Sequence, residues 1–530
     1  MKPFVAPVED ILFSLNEIAG AGRIPDWDAD FSAEIARHFA AFAEGEIAPL
    51  DEPADAQGCR IENGRVIMPD GLAEVFASYN EQGWSGLTAP EEHGGQGQGA
   101  AILAVTSEIF SGASQSLQMV TGLVPGAIRT LENFGTTAQK ARLIPPLVSG
   151  DCLATMCLSE PAAGSDLSNI RCKAVPAAEG WAITGEKIFI SGGDQNLSQK
   201  ILHLVLARTG DNGLRGLSLF LCRSNREDGS RNGVSVTRIE EKMGLHASPT
   251  CQLAFDAADA ELIGGEGEGL KAMFTMMNHA RLDVSLQGTA HAARAYDIAS
   301  SYAAERVQGR GPDGAPVTLD KHADIRRMIS EIDTLALTSR ALAHIILVIM
   351  ETGENPDLVE FLTPVAKVYC TEAGMKAAEL GMQVLGGYGY LTEYRIEQTY
   401  RDARISAIYE GANGIHAQAL VTRLLGYKGG QFAKAFTGFV ETEIATHKSE
   451  NLAACYALWA AAKSKILAEK DPSEFGYAFM KLTSELMVLL VWARFSASAE
   501  NHRDPARIKA LSAHVERLGV NPATLYASMI

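Results

Sequence analysis

No two of the eight cysteines, at positions 59, 152, 157, 172, 222, 251, 370 and 455, make a CxxC pair or fall at a metal-ligand spacing. A metal centre or disulfide framework is therefore not expected, and the thiols read as reduced, mostly buried side chains of a cytoplasmic protein. Long apolar runs are lacking too: the stretch near Leu486 to Ala493 is far too short to span a bilayer. The opening MKPFVAPVEDILFSLNEI sets Glu9 and Asp10 inside its apolar stretch, which a secretory signal would not tolerate, so no targeting or membrane segment is expected. Positive charge is in short supply. With 46 Lys and Arg against 64 Asp and Glu, the formal charge of -18 leaves no overall attraction for nucleic acid or an anionic membrane. Repeats and low-complexity tracts are absent. What remains is an ordinary globular composition, 47% hydrophobic and 21% charged, over 530 residues. That length suits about three to four domains.

Periodicity divides the chain. From Pro25 to about Gly150 apolar residues recur at helical spacings, as in Phe31 to Ala43 and Leu103 to Phe110. Between Cys152 and about Gly265 the period changes to two: Trp181 to Ile190, Ile201 to Ala207 and Leu217 to Cys222 read as strands, with a hairpin turn at Glu179-Gly180. Helical patterns return from Leu270 to about Leu425, broken around Gly309 to Pro316, at Asn355-Pro356 and at the Gly386-Gly387-Tyr388-Gly389 turn. After Gly429-Gly430 a further helical stretch runs to Ile530, with 11 Lys or Arg against 10 Asp or Glu. Its spacing of Leu452, Tyr456, Trp459 and Ala460 is that of a packed helix face. The chain thus reads as mainly α with an inserted β-domain, in four segments: a helical 1–150, a β-rich 151–265, a helical 266–430 and an additional helical 431–530. The last is expected to serve packing and subunit contacts.

Three segments carry chemistry. The stretch RDARISAIYEGANGIH, Arg401 to His416, sets one carboxylate, Glu410, behind an apolar run and ahead of two glycines. Ile405, Ala407, Ile408 and Tyr409 are expected to bury against a core, while Gly411 and Gly414 bring backbone close to whatever faces the turn. Desolvation there would raise the Glu410 pKa toward the value a general base needs. Taken alone, a Glu-Gly pair reads as a partly solvated Glu at a helix end. The second segment, MCLSEPAAGSD from Met156 to Asp166, offers the hydroxyls of Ser159 and Ser165 and open backbone at Gly164. These suit a polar heterocycle or a phosphate, although such a loop by itself is an ordinary turn. The third, GEKIFISGG from Gly185 to Gly193, delivers Phe189 and Ser191 to one strand face. The glycine-rich GGQGQG at Gly94 to Gly99 follows no strand and is not read as a dinucleotide loop.

These three segments, in this order, resemble the acyl-CoA dehydrogenase family. MCLSEPAAGSD resembles the family's first signature, QVLGGYGYLTEY followed by RDARISAIYEGANGI resembles its second, and ARLDVSLQG and YAAERVQGR resemble its linking helices. The resemblance runs from about Phe31 to Leu425. Within the family, FVAPVEDILFSLNEI, KMGLHASPT at Lys242 to Thr250 and AMFTMMNHARL at Ala272 to Leu282 look most like 3-methylmercaptopropionyl-CoA dehydrogenases.

The resemblance implies a helical domain, a β-barrel-like domain and a four-helix-bundle-like domain, followed here by a C-terminal helical extension. It implies FAD-dependent dehydrogenation of an acyl-CoA thioester to a trans-2-enoyl-CoA, with electrons passed to an electron-transfer flavoprotein. The setting is acyl-CoA and fatty acid metabolism, or dimethylsulfoniopropionate degradation for the narrower match. Glu410 matches the catalytic base. Leu158, Ser159, Gly164 and Ser165 match positions around the flavin and the start of the CoA arm, and Phe189 and Ser191 match the pair beside the isoalloxazine. Arg306 and Gln308 match residues that reach the FAD of a neighbouring subunit, and Gln383, Gly386 and Gly387 match the turn at its other end. Arg281 matches a CoA contact, and Gly411 lies with the substrate. A shared cofactor implies a homodimer or homotetramer.

Most relatives have Thr after the Glu-Gly pair where this chain has Ala412, so one cofactor contact is missing, and Asn413 and Gly414 are expected to compensate. An acyl-CoA oxidase or nitroalkane oxidase is an alternative on the same fold, but the latter normally uses Asp as its base. A DNA-associated alkylation-response flavoprotein also carries an extra helical region, yet needs a basic surface that the near-neutral tail lacks.

Overall fold

The computed structural model describes residues 3–530, so the first two residues of the MKPFVAPVEDILFSLNEI stretch lie outside the described residues. The chain forms two compact units. One comprises the stretch up to Ala41, Ala100–Gly112 and Arg281–Ile530; the other comprises Phe42–Gly99 and Ala113–Ala280.

The second of these is built on a seven-stranded sheet. Its strand Lys200–Arg208, KILHLVLAR, is buried everywhere but its ends, as a near-continuous apolar run should be. It pairs parallel with Cys152–Cys157 and antiparallel with Leu217–Arg223. Leu217–Arg223 continues to Thr250–Ile263, that strand to Trp181–Ser191, and that to Lys173–Pro176, whose Lys173 pairs back with Arg208. The pairing therefore closes on itself, giving the barrel-like domain expected at this place.

Alternating patterns alone do not reveal Lys173–Pro176, Val234–Ile239 or Thr250–Ile263. The last, TCQLAFDAADAELI, mixes in Ala and Asp, which are weak strand formers, and its three strand neighbours override that weakness. The same unit holds a small hairpin, Arg60–Glu62 with Arg65–Ile67, in a segment expected to be helical throughout. Asn63 and Gly64 turn it with φ of 51° and 74°, the pairing of residues that two-residue hairpin turns select.

In the other unit, helices Ala323–Thr352 and Pro356–Leu385 are joined by a sharp turn. Gly353, left-handed at φ 66°, ends the first, and Asn355 starts the second by accepting a hydrogen bond from the Leu358 N–H at 3.1 Å. Helix Pro356–Leu385 meets helix Gly269–Glu305 main chain to main chain. A Cβ added at Gly288 would lie 2.3 Å from the Cys370 carbonyl oxygen, and one at Gly374 would lie 2.6 Å from that of Gly288. Around this crossing Ala292, Ile298, Ile332, Leu380 and Ile396 form a buried core. Each large aliphatic side chain there contributes about 1.5–3 kcal/mol. Arg340 and Glu108, each 1% exposed, pair at 2.6 Å. The expected breaker region at Gly309 to Pro316 is a hairpin, Val307–Arg310 with Pro316–Thr318.

Past the family-like region, Lys428, Gly429 and Gly430 all take left-handed backbone, φ 44°, 71° and 82°, which interrupts the helix there. The tail then packs on the same helices. Trp459 is fully buried, with ring centroids 5.0 Å from Phe436 and 5.5 Å from Phe479, and Phe436 stacks on Phe361 at 4.7 Å. Trp459 Nε1 donates to Thr483 Oγ1 at 3.0 Å and Trp492 Nε1 to Thr338 Oγ1 at 2.8 Å, so both indoles bury their polar ends with partners. Ala323–Thr352 and Pro472–Asn501 are long and apolar enough to cross a membrane, but 89% and 72% of their apolar windows are buried within the fold.

Candidate active site

Glu410 is placed by the way its chain stops being helical. Helix Ile396–Ala403 tightens into the 3-10 turn Arg404–Ala407, and helix Asn413–Ala419 begins beyond the loop. Tightening shifts which residues face inward. Ser406 is therefore buried and donates to the Ala403 carbonyl at 2.6 Å, whereas Ile408, expected inside, is 50% exposed. In the loop Glu410 and Gly411 both have left-handed backbone, φ 52° and 91°. For a glutamate that conformation costs about 1–3 kcal/mol, and such strain collects at functional sites. Only glycine fits next to it, since a Cβ on Gly411 would lie 2.8 Å from His416 Nε2.

His416 Nε2 lies 3.0 Å from the Glu410 carbonyl oxygen. A carbonyl only accepts, so Nε2 carries the hydrogen and donates. Burial, reinforced by Arg281 and Lys367, pushes the imidazole pKa down to about 3 and keeps the ring neutral. The Glu410 residue keeps some solvent contact, but its Oε2 is enclosed and has no hydrogen-bond partner. Burial raises the carboxyl pKa to about 7, opposed by the charges of Arg281 and Lys367 and assisted by that of Asp283. An unpartnered carboxylate poised near neutrality has the chemistry of a proton acceptor.

Lys367, in helix Pro356–Leu385, is the residue the motifs did not point to. It is fully buried, and its Nζ donates to the Gly411 carbonyl at 2.8 Å and to Asn413 Oδ1 at 2.9 Å. Burial lowers its pKa to about 7 against the pull of Glu410. Its signal in the sequence was a single lysine inside the apolar run PVAKVYC. Arg281 is half-buried, and its charge acts on Glu410 directly. Tyr409 donates to Gln287 and Ser107 to Asp283, which ties the loop's neighbourhood to helix Gly269–Glu305. Glu410, Gly411, Asn413 and Arg281 thus come together. Of the arginines that precede the loop, Arg401 pairs with Glu397 at 2.6 Å and Arg404 is exposed.

Gln383, Gly386 and Gly387 are exposed at the end of helix Pro356–Leu385, and neither glycine has a neighbour within 4 Å of where a Cβ would sit. Arg306 is exposed and its guanidinium lies 5.3 Å from the Tyr388 ring centroid, which brings it to the same turn. Gln308, also exposed, offers its carbonyl to His322 Nε2 at 2.7 Å.

In the second unit, Leu158 is buried while Gly164 and Ser165 are exposed. The loop is anchored by Lys187 and Glu160, a pair sequence reading did not single out. Fully buried Lys187 donates through Nζ to the Leu158 carbonyl at 2.9 Å and to Glu160 Oε1 at 2.8 Å. Ile188 N–H donates to the Ser159 carbonyl at 2.9 Å, so loop and strand are clamped together. Just beyond, the register shifts, Phe189 adopts φ 59° and its ring is 62% exposed, while Ser191 is half-buried. In this unit an aromatic ring held outward on strained backbone suits a flat heterocycle, and in the other unit open glycines and an exposed guanidinium suit a phosphate-bearing group. The residues present therefore fit FAD. Among the described residues no cluster of His, Cys, Asp and Glu could hold a metal ion.

Comparison with known proteins agrees with this geometry. Models of the acyl-CoA dehydrogenase N-terminal, middle and C-terminal domains match residues 31–151, 155–258 and 267–425. The chain is 38% identical to 3-methylmercaptopropionyl-CoA dehydrogenase of Ruegeria pomeroyi, over 91% of this chain and 89% of that one. A solved structure described as an electron transferring flavoprotein of Acidaminococcus fermentans is 27% identical, with a TM-score of 0.64, over 74% of this chain and 97% of that one. Caenorhabditis elegans ACDH-11, solved with C11-CoA, shares the fold over 99% of this chain and 96% of its own, with a TM-score of 0.82 at 19% identity. The chain belongs to the acyl-CoA dehydrogenase family and is an FAD-dependent oxidoreductase.

Proposed function

We propose that this protein oxidises an acyl-CoA thioester across its α and β carbons to a trans-2-enoyl-CoA, with Glu410 as the base. The observation that carries this reading is the enclosed, unpartnered Glu410 Oε2 on left-handed backbone, with its pKa raised to about 7. A thioester α-hydrogen is weakly acidic, and Glu410 takes that proton. Lys367 fixes the Gly411 carbonyl and so holds the loop in which the Glu410 N–H can polarise the thioester oxygen as charge develops. FAD, held by the residues assigned below, would supply the acceptor for the β-hydrogen as hydride.

Leu158, Ser159, Gly164, Ser165, Phe189, Ser191 and Asn413 are assigned to the flavin. Gln383, Gly386 and Gly387 hold the rest of the dinucleotide with Arg306 and Gln308 of a neighbouring copy, so the working form is a homodimer or homotetramer. Ser165, Arg281 and Gly411 serve the substrate. We take that substrate to be 3-methylthiopropanoyl-CoA, converted to 3-methylthioacryloyl-CoA in the degradation of dimethylsulfoniopropionate. The support is the Ruegeria relative. The electron acceptor is an electron-transfer flavoprotein, in keeping with the Acidaminococcus structure. The chain works in the cytoplasm, away from membrane and nucleic acid, as four segments with 431–530 as the additional helical domain.

Anaerobic mixing of FAD-loaded protein with 3-methylthiopropanoyl-CoA and straight-chain acyl-CoAs tests both levels. The methylthio substrate should bleach the flavin most efficiently, and Glu410→Gln should slow bleaching at least about 100-fold while still binding substrate. Unchanged reduction in that variant would remove Glu410 from the reaction, and a faster straight-chain substrate would replace the methylthio assignment.

A further inference from the structure

The C-terminal extension does more than cover the helices beneath it. The C-terminal domain model ends at residue 425, yet helix Gly476–Ser498 reaches back to the loop of Glu410. Its first residue, Gly476, is buried against helix Asn413–Ala419, where an added Cβ would lie 3.0 Å from the Ala417 carbonyl oxygen. One turn on, Lys481 donates through Nζ to Glu372 Oε2 at 2.7 Å. Its ammonium also lies 5.9 Å from the Tyr526 ring centroid, so a second tail element helps to fix it.

Glu372 presents its other oxygen, Oε1, to Asn413 Nδ2 at 3.5 Å. The same amide nitrogen donates to Thr371 Oγ1 at 3.2 Å, and Asn413 Oδ1 accepts from Lys367 Nζ, which also holds Gly411. The Glu372 side chain is 31% exposed, so without Lys481 it would be free to swing into water and leave Asn413 short of an acceptor. Asn413 would then be held by Lys367 and Thr371 alone, with one amide hydrogen unpaired.

We propose that Lys481 is a positioning residue of the dehydrogenation, through which the extension fixes Glu372, Asn413 and hence the loop that carries Glu410. The inference rests on Glu410 being the base. Both side chains keep some solvent contact, 23% and 31% exposed, so their pairing adds modestly to stability and the effect belongs chiefly in the rate of the chemical step.

The test uses full-length, FAD-loaded protein with 3-methylthiopropanoyl-CoA and butyryl-CoA as probes. Displacing a reacting group by about 1 Å costs up to about 100-fold in rate, and a partly loosened loop about tenfold. Lys481→Met and Glu372→Gln should each slow flavin reduction at saturating substrate by about tenfold, with substrate affinity within about twofold of the parent. Lys481→Arg, which keeps the charge, should recover most of the rate. Lys509→Met, which breaks the tail ion pair of Lys509 with Glu500, should change nothing. Normal reduction in both Lys481→Met and Glu372→Gln, alongside an inactive Glu410→Gln, would overturn the role of Lys481 and leave the base in place. An active Glu410→Gln would remove the base and this inference together.

Discussion

Lys367 holds the carbonyl oxygen of Gly411 at 2.8 Å, directly after the glutamate whose carboxyl it also stabilises in charged form. One ammonium thus has a mechanical and an electrostatic effect on the same loop. It grips the backbone on the far side of a strained residue, and it opposes the desolvation that would otherwise protonate that residue.

Flavin reduction should therefore depend on pH with a definite sign. The proposed base, Glu410, must be unprotonated to act, its pKa is raised to about 7, and so the rate should rise as pH climbs through about 7 and fall away below it. Because Lys367 also titrates near 7, the acidic limb should be shallower than a single ionisation. Stopped-flow reduction measured across pH checks this, and a rate already flat from pH 5 upward would place the base's pKa elsewhere.

Replacing Lys367 by Met removes the charge that lowers the Glu410 pKa. The acidic limb should move to higher pH, and the rate below the limb should fall accordingly. Leaving the Gly411 carbonyl without its donor should also destabilise the fold by about 1–3 kcal/mol. A slower variant whose pH profile has not moved would mean that Lys367 acts on the loop alone.

Phe189→Ala should weaken FAD binding by about two- to tenfold, since one aromatic contact is worth about 0.5–1.5 kcal/mol. The apo-protein's unfolding midpoint should hardly change, because the ring is 62% exposed and packs on little of the chain itself. Flavin titration by fluorescence quenching reads the first effect and denaturant unfolding the second. A large loss of apo stability would mark Phe189 as a structural residue instead.

How much of this was readable beforehand depended on whether it followed from local order. The helical and β-rich segments and the Glu410 loop announce themselves through periodicity and glycine placement, and the Lys200–Arg208 strand through its unbroken apolar run. Thr250–Ile263 does not, because its strand character comes from three partners rather than from its own residues. Ile408 reads as a core residue because it belongs to an apolar run, and the 3-10 turn at Arg404–Ala407 rotates it outward. Lys367 and Lys187 were the least legible. Each acts on a backbone carbonyl far away in the sequence, at Gly411 and Leu158, and no spacing rule encodes such a contact.

The crossing at Gly288 and Gly374 bears a stability prediction of its own. Gly374→Ala would set a methyl carbon about where the Gly288 carbonyl already stands, 2.6 Å away. Overpacking of this kind costs about 1–3 kcal/mol, to be read as a lowered denaturation midpoint. A variant as stable as the parent would show that the crossing has slack.

That crossing also limits how the enzyme can be re-engineered. Asp283 and Gln287 sit on one side of it and Lys367, Thr371 and Glu372 on the other, so the groups around Glu410 are registered by two main chains in direct contact. Neither helix can retreat without dragging its half of that set along. Selection for a bulkier acyl group cannot win space by easing these helices apart, and variants that gain it will carry their changes in other elements.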